Sequence, residues 1–182
     1  MAATQISNRQ HSNTPGVVDI EQFISLTTAY TLTSQTALQK LFNATTNGAL
    51  TVLAATTYFF ECSFDLSAMS ATSGNFGFGF AGTATITSLR YSSDAQKSSA
   101  IGTPSNGQTT IGIASTATGL VTASLITTGT AFITGIIRTN AAGTLIPSVS
   151  LGIASAAVVG VNSYFRINPV GTNATTNVGL WT

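Results

Sequence analysis

Between residues 57 and 66 the chain changes character at nearly every step. Tyr58, Phe60, Cys62, Phe64 and Leu66 are apolar, whereas Thr57, Glu61, Ser63 and Asp65 are polar. Side chains two residues apart share one face of an extended chain, so this run predicts a strand with one face in a core and the other outside it. Phe59 breaks the polar set. The same period-two pattern recurs in Ile24, Leu26, Thr28, Tyr30 and Leu32, in residues 49–53, and in Phe76, Phe78 and Phe80 alternating with Gly77 and Gly79. It continues through residues 83–91, 109–114, 120–126, 130–138, 145–153, 163–170 and 177–181, with a short piece at 38–42. Gly, Asn, Ser and Pro punctuate the runs. Ala141, Ala142 and Gly143 predict a hairpin turn, and the Ser-rich stretch 92–107, with Pro104, predicts a surface loop.

No segment keeps a helical period over ten or more residues; residues 35–43 have room for one helical turn. Roughly ten short, evenly spaced strands predict an all-β fold of antiparallel sheets, a sandwich or barrel filling residues 21–182. No repeat supports a solenoid or propeller. Residues 1–20 are polar, with a hinge signal at Pro15-Gly16, and are expected to form an extended arm that orders against a partner.

Composition changes the expectation for the surface. Hydrophobic residues make up 43% of the 182, but Asp, Glu, Lys and Arg only 6%, against about 25% in an ordinary soluble domain. Thr, Ser, Asn and Gln fill the polar positions. Charge is the usual device that keeps sheet faces and edges apart, so a neutral, Thr-clad exterior is poorly protected against self-association. Much of it is expected to be covered by copies or partners. The net charge is +1 and the basic residues Arg9, Lys40, Arg90, Lys97, Arg138 and Arg166 are scattered. Phosphate recognition needs them clustered, which argues against nucleic acid as a partner. No stretch approaches the 18 apolar residues of a membrane span, and residues 1–16 lack the apolar run of a signal peptide. A soluble protein made in the cytoplasm of the producing cell is expected.

Candidate chemistry is sparse. Cys62 and His11 are the only residues of their kinds; Cys62 falls on the apolar set of its strand and is expected to be an inert core thiol. Gly77 to Gly82 match GxGxxG, but a dinucleotide site needs a helix after that run and an acidic residue about 20 positions on. Here a strand follows and Asp94 comes too early, so the glycines are expected to leave room for a closely approaching backbone. Glu61 and Asp65 are the one close carboxylate pair in a strand. Four residues of strand separate them by about 13 Å, beyond the roughly 5 to 9.5 Å of glycosidase pairs, so solvated or interface positions are expected. Asp19 and Glu21 are read as a solvated pair at the hinge. The sequons at Asn43 and Asn173 are expected to be chance matches in a Thr-rich chain. No catalytic residue, metal site or cofactor is predicted.

The runs LAATTYFFECSFDL (53–66), GIIRTNAAGTLIPSV (135–149), GVNSYFRINPV (160–170) and the closing VGLW (178–181) resemble the short β-rich virion proteins of tailed bacteriophages, which occur as capsid decoration proteins, head fibres and tail-fibre tips. The order of elements is also similar to the trimeric jelly roll of the tumour-necrosis-factor and complement globular-head superfamily. The resemblance spans residues 20–182; where that superfamily has glycine before the strand-opening Tyr, this chain has Thr56-Thr57. It implies a homotrimeric virion protein with no catalytic residues, decorating or cementing a capsid through contacts with the major capsid protein, with a receptor-binding tail-fibre tip or adhesin as the alternative. Three copies would bury aromatic residues of one sheet face between them. Phe59, Tyr164 and Trp181, opposite the presumed core sets of their strands, are the candidate interface residues.

Overall fold

The computed structural model describes residues 21–42, 49–97, 108–114 and 127–172. Among the described residues there are twelve strands and no helix: β1 (Gln22–Ser25), β2 (Tyr30–Thr31), β3 (Gln39–Lys40), β4 (Leu50–Val52), β5 (Thr56–Ser67), β6 (Phe76–Ala81), β7 (Thr85–Lys97), β8 (Gln108–Ala114), β9 (Gly129–Ala141), β10 (Gly143–Leu151), β11 (Val158–Val159) and β12 (Tyr164–Thr172). All pairings are antiparallel. The large sheet runs β1-β12-β5-β9-β7-β8, with β11 bridging the far end of β5 to β2. In the small sheet β10 pairs with β3, β4 and β6.

Alternation decides which side of each strand is buried. On β5, Tyr58, Phe60, Cys62, Phe64 and Leu66 are all at most 3% exposed. They meet Phe76, Phe78 and Phe80 of the small sheet. The Phe60 ring stacks on Phe78 and Phe165 and meets Phe80 edge-on, and Phe64 contacts Phe76 and Phe78, all with centroids 5.4–6.4 Å apart. Burying a side chain of this size stabilises by about 1.5 to 3 kcal/mol, and offset or edge-on rings add to that. Gly135 lets the layer close: a Cβ there would lie 2.4 Å from the Arg90 carbonyl oxygen and 2.8 Å from the Phe60 ring. Gly77 and Gly79 lie opposite Ser150 and Ser148 of β10, so the GxGxxG run falls mostly in strand β6, whose Phe76, Phe78 and Phe80 rings pack into the core.

Several boundaries differ from the sequence expectation. The predicted hairpin at 141–143 is instead a corner between sheets: β9 stays in the large sheet, while β10 joins the small one and pairs with β4 and β6. Gly143 serves a close approach, since a Cβ there would meet the Ala84 amide nitrogen at 2.6 Å. The first predicted strand divides into β1 and β2, because Leu26 and Leu32 donate to different carbonyls, those of Ser163 and Ala157. Residues 92–97, expected in a loop, extend β7, since β9 pairs with it as far as Lys97 opposite Gly129. The region considered for a helical turn holds bends and β3. The arm 1–20, the strands predicted at 120–126 and 177–181, and the sequon residues Asn43 and Asn173 lie outside the described residues.

Candidate functional site on the outer face of the large sheet

The residues between the core positions of β12, β5, β9 and β7 form the opposite face of the large sheet, and the register aligns them in rows. One row is Tyr164, Ser63, Phe132, Asp94; the next is Arg166, Glu61, Thr134, Ser92; the third is Asn168, Phe59, Ile136, Arg90. Phe23 of β1 continues the second row beside Arg166. Phe59 and Tyr164, two of the three proposed interface residues, therefore share this face, two rows apart. Trp181 lies outside the described residues.

Between Tyr164 and Phe59 sits a fixed polar group. The Tyr164 hydroxyl donates to Glu61 Oε1 at 2.7 Å and Arg166 Nη2 donates to Glu61 Oε2 at 2.9 Å. Glu21 Oε1 stands 4.0 Å from Arg166 Nη1, so the acid expected to be solvated at the hinge leans on this group. Phe23 stacks on the Tyr164 ring with centroids 5.7 Å apart. Burial, and then the bond to Glu61 and its negative charge, push the Tyr164 hydroxyl up to about 12, against the opposing pull of Arg166. Both Glu61 oxygens are thus engaged by donors on their own sheet.

Toward β9 and β7 the face carries two exposed apolar side chains among polar and charged ones. Phe132 and Ile136 are 42% and 44% exposed, with Ile136 directly opposite the half-buried Phe59. Acids stand on one side of the Thr134–Ser92 row and bases on the other. Asp94 and Asp65 lie beside Phe132 and Thr130, while Arg90 and Arg138 lie beside Ile136 and at the following outward position. All four are exposed, and none has an ion-pair partner among the described residues.

Sequence reasoning missed Phe132 and Ile136. The signal was present, because Ala131, Ile133 and Ile137 of the same strand are 0% exposed: β9 carries large apolar residues on both faces, although only one can point into the core.

The arrangement offers little chemistry. Glu61 and Asp65 are four strand residues apart on one face, about 13 Å. Cys62 is fully buried on the opposite face, and burial, with Glu61 adding to it, pushes its thiol well up, which disfavours the nucleophilic thiolate. Among the described residues no three His, Cys, Asp or Glu side chains gather as metal ligands, and no helix is long and apolar enough to cross a membrane. A cleft of about 260 Å³ beside Tyr30, Leu38 and Lys40 has no acid, imidazole or thiol in its wall. His11 lies outside the described residues.

No protein-family model matches the chain, and no curated protein matches it in sequence.

Proposed function

We infer that the protein is a non-enzymatic structural component of a bacteriophage particle, one that works by association: copies meet through the outer face of the large sheet, and the assembled unit decorates the capsid shell. The observation that supports an associating protein most directly is the pair of uncovered side chains, Phe132 and Ile136, on a chain that is only 6% charged. Exposed apolar side chains of this size are stabilised by losing their water to another surface. The phage setting rests on the sequence resemblance, which also implies three copies arranged as jelly rolls around an axis. Binding the assembled shell, and not its dissociated parts, stabilises the shell by mass action.

Particles made without this protein test the reading. They are expected to assemble but to lose their contents on heating or dilution sooner than complete ones, and purified protein added back is expected to coat them at high copy number. Equal stability of the two kinds of particle, together with binding of the isolated protein to host cells, would instead make it a receptor-binding tip.

A further inference from the structure

We propose that the outer face of the large sheet is a two-fold contact between copies, in which β9 packs on β9 and β7 on β7 with the strands reversed. The proposal rests on the reading of this face as a meeting surface and deepens it by naming occupant and symmetry. It does not need the shell.

The charge layout carries it. Along β7, Asp94 stands beside Phe132 and, four residues back, Arg90 stands beside Ile136. The two are about 13 Å apart, too far to pair within one chain. Asp65 lies further toward the acidic end on the neighbouring β5, and Arg138 further toward the basic end on β9. A two-fold axis lying across the strands, through the row of Thr134 and Ser92, exchanges these ends while keeping each strand over its own copy. Arg90 then faces Asp94 of the second copy, and the reverse; Arg138 comes within reach of the opposite Asp65, one strand away. The same rotation sets Phe132 of each copy on Ile136 of the other. Small side chains, Thr134 and Ser92, lie on the axis, and the Glu61–Arg166 pair in that row is already neutralised. Four ions with no partner among the described residues and the two exposed apolar side chains of this face find complements in one operation, as an isologous interface requires.

The area suffices. The four strands β12, β5, β9 and β7, of 9, 12, 13 and 13 residues, at about 3.3 Å per residue and about 4.8 Å apart present roughly 740 Å², close to the about 800 Å² per partner of a standard interface. Phe59 and Tyr164 lie on this face and so serve the two-fold contact; the closed unit is a dimer, and the three copies the resemblance implies require a separate three-fold contact elsewhere in the chain, giving six.

Charge reversal in the full-length protein, read by sedimentation equilibrium, tests the pairing. Arg90→Asp and Asp94→Arg alone are each expected to weaken self-association roughly 10- to 100-fold, because each sets like charges face to face twice. Arg90→Asp/Asp94→Arg together recreate the pairs with signs exchanged and are expected to restore association to within about threefold of wild type. Circular dichroism of each variant confirms the fold, and the double variant keeps the test decisive should a single one misfold. A wild-type monomer, a trimer with no even-numbered species, or a double variant as weak as the singles overturns the proposal. A monomer that still coats shells overturns this pairing and spares the structural reading; an even-numbered species that coats none does the reverse.

Discussion

Strands β5 and β9 carry two faces made of neighbouring residues, and the two are built by different rules. The inner one, with Phe60, Cys62, Phe64, Ala131, Ile133 and Ile137, is at most 1% exposed, and its rings interlock with those of the small sheet. The outer one, with Phe59, Glu61, Phe132, Thr134 and Ile136, holds at one side an ion group in which both Glu61 oxygens are satisfied while the buried Arg166 Nε has no partner, and exposed apolar side chains at the other. The inner face is complete within one chain. The outer face satisfies its Glu61 carboxylate where that group meets Tyr164 and Arg166, and is incomplete across β9 and β7. Alternation alone therefore does not separate core from interface. What separates them is whether each apolar or charged side chain finds its complement in the same copy.

The largest effect that would break this contrast is on the inner face. Phe60→Ala is expected to lower unfolding free energy by about 3 to 5 kcal/mol, measured by urea denaturation, because its ring touches Phe78, Phe80 and Phe165 and the rigid layer cannot close over the gap. The matched outer change, Phe132→Ala, is expected to leave the stability of a dilute single copy within about 0.5 kcal/mol while weakening association. Equal losses of stability for the two would erase the distinction.

Next comes the ion group. Glu61→Gln removes the negative charge between the Tyr164 hydroxyl and the Arg166 guanidinium and is expected to cost about 1 to 2 kcal/mol by the same denaturation assay.

The smallest effect is on pH dependence. An unfolded Tyr releases its proton near pH 10, whereas Tyr164 in the fold holds it to about 12. Between those values the unfolded chain binds fewer protons, so stability is full below pH 10 and falls as pH rises toward 12. Tyr30 and Tyr91 are raised by burial and act in the same direction. Urea midpoints at pH 9 and 11.5 are expected to show the fall, and Tyr164→Phe to make it shallower without abolishing it.

The fold was legible where one face is strictly apolar and the other polar. β5 and β6 were readable residue by residue, as was the buried, inert Cys62. Connections were less legible. The Ala141-Ala142-Gly143 sequence suits a hairpin as well as a corner, and only the approach of the Thr83–Ala84 backbone to Gly143 and Thr144 sends β10 to the other sheet. Ser92 to Lys97 looked like a loop because Ser and Asp are weak strand formers, yet pairing with β9 overrides local preference. Of the candidate site, Phe59 was legible as an aromatic out of phase with its strand, and Tyr164 as one opposite Phe165. Phe132 and Ile136 were not, since a strand with large apolar residues on both faces does not declare which is inside. The Glu61–Arg166 pair depends on the register of β5 against β12, residues 105 positions apart, which no local pattern encodes.

A photoreactive phenylalanine analogue in place of Phe132 tests the central claim most directly, because it keeps the ring's shape and marks what the ring touches. Irradiation of the full-length protein is expected to give a covalent dimer whose cross-linked peptide contains Ile136 of the second copy. A product confined to single chains, or a link to residues of the buried face, would contradict it.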